Sequence, residues 1–339
     1  MMEHNIQPAV RFRLLVVLGR LALAGCPISM ALGAGVPSDD VPSIPSELFA
    51  VTKTKTVIDA FRPTPQFDRH DPSNIIRDDG FYWVFYTRNT GDHREVSVQV
   101  AKSADGYHWT DLGEALGHGH GGDWDESGAI APYVVSHEKR FYLFYTGFRD
   151  GNLATRELGC AIADHPAGPW IRWAGNPILR RHPDPAAWDS GMLGDANVIF
   201  REGKWWLYFK SRRDAETSRQ THVGVALADE VTGPYHKHLG NPLFPGHAFS
   251  AWRHRNGVAA LCGVISPKIK WSPDGLRFLD AGEMPNQSTG LFSPAADSDP
   301  DNLRGFDWGL EVYAEAGARG LRRFDCKSAT ESTSPSGGQ

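Results

Sequence analysis

Aromatic runs and short polar turns alternate along most of this chain. The stretch His70-Asp71-Pro72-Ser73-Asn74-Ile75-Ile76 leads into Arg77-Asp78-Asp79-Gly80 and then Phe81-Tyr82-Trp83-Val84-Phe85-Tyr86. This pattern predicts strand, hairpin turn, strand, because Asp and Gly supply the backbone angles of a tight turn and aromatic residues suit the strand that follows. The pattern returns at Asp195-Ala196-Asn197-Val198-Ile199-Phe200, Arg201-Glu202-Gly203 and Lys204-Trp205-Trp206-Leu207-Tyr208-Phe209. A third copy runs from Ala131-Pro132-Tyr133 to Phe141-Tyr142-Leu143-Phe144-Tyr145. In each copy the first slot lies ten residues before the first aromatic of the second strand, and Asp fills it twice and Ala once. The scaffold therefore repeats while the carboxylate does not.

Three further series recur in the same order. Strand end, Gly turn and aromatic follow one another at Ala101–Trp109, Ala163–Trp170, Ala228–Tyr235 and Trp271–Phe278. Trp124-Asp125 and Trp188-Asp189 each precede a first slot by the same interval, and Gly175-Asn176-Pro177 returns as Gly240-Asn241-Pro242. A unit of about 60 residues with roughly four strands is the signature of a propeller blade. The predicted fold is all-β, a five-bladed β-propeller over residues 61–326. It has three clear blades, a shorter one through 245–282 and a degenerate one from about 283. Residues 36–60 are expected to be a linker and N-terminal extension, with a short helix within 47–60, and 327–339 a disordered tail.

Composition narrows the partners. The chain has 339 residues and a net charge of −5, without the basic face that a nucleic-acid partner requires. Arg11, Arg13 and the apolar run Leu14–Leu18, continued through Leu21 to Ala24, read as an export signal over residues 1–35. The run is shorter than the roughly 20 residues of a bilayer span. Leu23-Ala24-Gly25-Cys26 resembles a lipobox, which would anchor the chain by lipid at Cys26; ordinary cleavage near Ala31–Ala34 is the alternative. The expected location is exported: periplasmic, outer-membrane lipoprotein or secreted. Cys160, Cys262 and Cys326 have no paired spacing, which argues against a disulfide framework or a zinc site.

In a propeller the first strand of each blade lines the central channel, so the slots at Asp71, Ala131 and Asp195 should converge on one funnel. Two carboxylates in a confined site drive their pKa values apart, and glycosidic cleavage uses such a pair. Turn capping is the competing explanation for both. Trp124, Trp188 and Trp252 stand near blade entrances and are candidate sugar-stacking walls, or else rim packing. Asp125 and Asp189 are candidates for hydroxyl binding or turn caps. Asn74 and His254 are further substrate-binding candidates. No cofactor is expected and no metal ligands are assigned, although carboxylates in a wet channel suit a structural divalent cation.

Asp71-Pro72-Ser73-Asn74, the Trp-Asp pairs, Gly194-Asp195-Ala196, Gly233-Pro234-Tyr235 and Gly246-His247 with Trp252 and Gly257-Val258-Ala259-Ala260-Leu261 resemble the five-bladed glycoside hydrolases of families 43 and 32. The order of these motifs over about residues 60–285 is more similar to family 117, the neoagarooligosaccharide hydrolases. That resemblance implies an inverting, exo-acting glycosidase that releases 3,6-anhydro-L-galactose. It implies Asp71 as general base, Asp195 as the carboxylate that tunes the site and His247 as general acid. The family has Glu directly after that His; this chain has Ala248. The alternatives are a carbohydrate-binding propeller without catalysis, or an arabinosidase or xylosidase of family 43 type. An oligosaccharide is the expected ligand, and a homodimer is compatible with the sequence.

Overall fold

In the computed structural model, the described residues are 43–48, 50–90, 96–263, 268–283, 292–294 and 307–328. The predicted targeting segment and Cys26 lie outside them, as does the tail beyond Ser328. Among the described residues no helix is long and apolar enough to cross a membrane.

The strands form five antiparallel sheets, each one blade of a five-bladed propeller. The first uses Asp68–His70 and Ile76–Asp78 as its broken inner strand, followed by Phe81–Asn89, Val96–Ser103 and Trp109–Leu116. The second runs outward through Gly128–His137, Arg140–Phe148, Glu157–Ala163 and Ile171–Arg172, and the third through Met192–Arg201, Lys204–Arg212, His222–Ala228 and His236–Lys237. Ala248–His254, Gly257–Gly263, Lys268–Ser272 and Leu279–Glu283 make the fourth. The predicted inner hairpins are present: Asp79 and Gly80 have φ of 48° and 79°, and Glu202 and Gly203 have 53° and 74°. Two successive positive φ values give the tight turn whose twist matches the flanking strands.

The fifth blade corrects the predicted boundaries. Residues 47–60 are not a helix; Ala50–Val57 is a strand. Its Thr and Val residues favour extended backbone. It pairs antiparallel with Ala318–Ser328 as the outermost strand of a sheet continued by Trp308–Glu315 and Phe292–Pro294. The blade is thus closed by both halves of the chain, and the propeller begins at about residue 50. Nor is the preceding stretch a free linker. Leu48 is fully buried in a cluster with Trp252, Leu261, Ile269 and Phe324.

Most aromatics pack between blades. Tyr133, Phe144, Trp205, Leu207, Phe209 and Tyr235 share one buried cluster, and Trp83, Phe85, Phe141, Tyr145 and Trp170 another. Burying surfaces of this size is the main stabilising term.

Candidate active site

Inner strands are kinked at the same slot in three blades. Asp71, Ala131 and Asp195 have φ of 48°, 49° and 53°. The pairing register slips between Ile130 and Tyr133 in the second blade and between Gly194 and Asn197 in the third. Such a bulge leaves the ladder and re-aims a side chain. Asp tolerates the left-handed region better than most residues; Ala does not. Ala131 therefore shows that the kink belongs to the scaffold. A hydroxyl from the preceding blade supports the next slot: Thr87 Oγ1 accepts the Ala131 amide at 2.9 Å, and Thr146 Oγ1 the Asp195 amide at 3.3 Å.

The kinks bring both carboxylates to one channel. Asp71, Asp195, Ala131, Tyr133, Phe249 and Ser250 are among the residues lining a void of about 20 Å³. A water needs about 10–15 Å³ and polar partners, so the void has room for about one water beside the two carboxylates.

The two acids sit in different fields. Asp71 Oδ2 lies 2.8 Å from His70 Nδ1. Burial pushes the Asp71 carboxyl up, but His70 and, less strongly, Lys210 and Arg319 outweigh it and hold the group well below the usual carboxylate range. Asp195 is 6% exposed, with Lys210 Nζ at 2.6 Å from Oδ2. Burial raises its pKa, Lys210 opposes the rise and Asp71 adds to it. One carboxylate is kept ionised and the other is pushed toward its neutral form, the division of labour that separates a base from its partner.

His247 lies within electrostatic range of Asp71 and Lys210, with Nδ1 3.1 Å from Thr221 Oγ1. Burial, then Lys210 and Arg156, take its pKa down to about 3, against a weaker opposing pull from Asp71. The imidazole is therefore neutral at neutral pH. Ala248, 5% exposed, leaves no carboxylate beside it to offset that field.

Most expected substrate contacts are structural. Trp124 stacks on Tyr145 at 5.6 Å, and its ring lies where a Cβ on Gly147 or Gly159 would be. Trp188 stacks on Phe209 at 5.7 Å over Gly224 in the same way. Each Trp covers its own blade rather than the channel, and glycine is required beneath it. Trp252 is 2% exposed within the fourth-blade core. Asp125 accepts from Tyr145 Oη at 2.7 Å and from Arg172 Nε at 2.8 Å, fully inside the blade. Asp189 has the equivalent pairing with Lys237. These are buried ion pairs tying an outer strand to its blade, not hydroxyl binders. Asn74 holds the second blade's inner strand, donating to Val134 O at 2.8 Å and accepting from Val134 N at 2.9 Å. Asn197 accepts from Ala251 N at 2.9 Å to hold the fourth. His254 lies at the far end of its strand, 3.0 Å from Glu47 Oε1, where it fastens the N-terminal segment.

Glu311 is a further buried carboxylate, fully enclosed between Arg322 Nε at 2.5 Å and Lys55 Nζ at 3.3 Å. The one group of three side chains close enough to hold a cation, among the described residues, is Asp78, Asp79 and His165. It sits at the hairpin turn and not among the channel carboxylates.

Sequence reasoning missed His70, Lys210, Arg156 and Arg212. His70 and Lys210 were detectable in principle: one precedes the first Asp, and the other breaks the aromatic strand of the third blade with a charge.

Residues 61–218 match the model of glycosyl hydrolases family 43. A probable sucrose-6-phosphate hydrolase of Vibrio cholerae is 29% identical over 160 residues, covering 46% of this chain and 28% of that protein. A probable arabinan endo-1,5-alpha-L-arabinosidase A of Aspergillus flavus is 29% identical over 172 residues, covering 49% of this chain and 51% of that protein. The matched segment thus spans about half or less of these relatives. A family 117 glycoside hydrolase from Zobellia galactanivorans superposes with a TM-score of 0.73 at 24% identity, over 86% of this chain and 94% of that one. The chain thus has the five-bladed propeller fold, and its residues 61–218 are similar to glycosyl hydrolases family 43.

Proposed function

We propose that this protein is an exported glycosidase that releases a terminal α-linked sugar with inversion. The observation that carries the reading is the shared channel void with an ionised Asp71 and, on the same wall, an Asp195 whose pKa burial raises. Asp71 acts as general base on a water in that void. Its low pKa keeps it ionised across the physiological range. Asp195, held by Lys210, orients the sugar and sets the field. Inversion places base and acid about 6.5–9.5 Å apart, which leaves room for the water.

His247 is the proposed proton donor. A donor must be protonated before the leaving oxygen departs, so His247 needs a substrate that offsets the cations around it. With Ala248 in place of the Glu of the anhydrogalactose-releasing family, the sugar is expected to differ from 3,6-anhydro-L-galactose. A second reading, an arabinosidase of family 43 type, is favoured by the arabinanase relative.

The deciding measurement is sugar release from neoagarobiose, arabinan fragments and aryl glycosides, with the anomer followed by proton NMR. Asp71→Asn should lower turnover by about 10²-fold or more while leaving the far-UV circular dichroism unchanged. Undiminished release by the variant would refute the assigned base. Binding of the same sugars without release by the wild type would leave a carbohydrate-binding propeller.

A further inference from the structure

The channel mouth holds more positive charge than its acids need. Three cations act on His247, namely Lys210, Arg156 and Arg212, and the first two act on Asp195 as well. Lys210 is taken by Asp195, and Asp71 is taken by His70. Arg156 and Arg212 have no carboxylate of their own among the described residues. Arg212 Nε is buried without a hydrogen-bond partner. Arg156 spends its Nε on the Leu153 carbonyl at 2.6 Å. Glu157, next in the chain, is engaged by Arg180. Arg172, Lys237 and Arg323, by contrast, each pair with a carboxylate: Asp125, Asp189 and Asp325.

The backbone fixes both arginines beside the site. Arg156 O accepts from Leu193 N at 3.0 Å, and Arg212 stands opposite Met192 in the ladder. Leu193 and Met192 lead directly into the kink that carries Asp195. Arg156 feels both carboxylates and Arg212, and burial works against its charge. A half-buried guanidinium with spare donors and no counter-ion is suited to an external anion, because its planar fork takes a carboxylate or sulfate through two hydrogen bonds.

We infer that the sugar this site accepts is anionic, a uronic acid or a sulfate ester, with its charged group held by Arg156 and Arg212. The inference deepens the reading of the channel as the sugar site and rests on it. It also supplies what His247 lacks. An anion seated between the two arginines offsets two of the three charges that act with burial to keep the imidazole neutral, so binding of the correct substrate would favour its protonated form. A neutral sugar would bind without doing so.

The test is calorimetric binding to the full chain, with matched pairs: galacturonate against galactose, and glucose 6-sulfate against glucose. At least one charged sugar should bind about tenfold or more tightly than its neutral partner. Arg212→Gln and Arg156→Gln should each remove most of that preference and leave the neutral sugar's affinity in place. A preference for galacturonate alone assigns a carboxylate, and one for glucose 6-sulfate alone assigns a sulfate ester. Equal affinity within both pairs, or a preference that survives both substitutions, overturns the inference. Should a Gln variant lose its fold by circular dichroism, the wild-type comparison decides by itself. Binding is read without turnover, so this result stands apart from the Asp71→Asn assay, which alone tests the hydrolase reading.

Discussion

Lys210 Nζ lies 2.6 Å from Asp195 Oδ2 with both side chains less than a tenth exposed. The two belong to adjacent strands of the third blade, and the contact holds a carboxylate that would otherwise face Asp71 unbalanced.

Removing one member of such a pair strands the other. Lys210→Met is expected to cost about 3–5 kcal/mol, because the buried Asp195 loses its counter-charge. Combining Lys210→Met with Asp195→Leu should recover much of that loss, since neither charge then remains. Urea midpoints of the wild type, both single variants and the double variant measure the coupling. Additive losses would show that the pair is not the unit described here.

The repeat-equivalent pairs Asp125–Arg172 and Asp189–Lys237 should affect stability and not sugar recognition. Asp125→Asn loses a charge that holds both Tyr145 and Arg172 inside the second blade. A loss of about 2–4 kcal/mol is expected, with KM changed by less than about twofold. A large KM increase in a protein of undiminished stability would return Asp125 to the list of sugar contacts.

What the sequence exposes and what it hides follow from one distinction. Repeats, hairpins and the Asp slots are visible because they are local patterns of strand, turn and side-chain type. Function and packing are not separable in the same way. Trp124 and Trp188 recur beside Asp125 and Asp189, and recurrence alone suggests either a sugar wall or a blade clamp. Only the glycines beneath each ring, Gly147 and Gly159 in one blade and Gly224 in the next, reveal the clamp. Arg156 was invisible because it acts on Asp195 from the neighbouring blade, and Arg212 because only the strand pairing places it opposite Met192. The outer strand Ala50–Val57 was hidden because its partner lies at the opposite end of the chain.

That strand carries a prediction of its own. Ala50–Val57 covers Ala318–Ser328, and Lys55 supplies one of the two cations at the buried Glu311. A chain that begins after Val57 opens the fifth blade at its edge and leaves Arg322 as the only cation at Glu311 among the described residues. Differential scanning calorimetry should show a lower Tm by about 5 °C or more, with a broader transition. An unchanged thermogram would mean that the strand adds nothing to ring closure.

His247 gives stability a specific pH dependence. Its folded pKa is taken down to about 3, first by burial and then by Lys210 and Arg156, whereas an unfolded imidazole titrates near 6.5. Between those values the unfolded chain binds a proton that the folded one refuses. Stability therefore rises with pH through this window, and the contribution is fully present above about pH 6.5 and lost progressively as pH falls toward 3. His247→Gln carries no titrating group, so its urea midpoint should decline less between pH 7 and pH 4.5 than the wild type's. Carboxylates such as Asp71 also lose their favourable charge in acid, but they do so equally in both proteins, so the difference between the two curves isolates the imidazole. Parallel curves would show that His247 is free to take up a proton in the folded state. It would then need no help from the substrate to act as a donor.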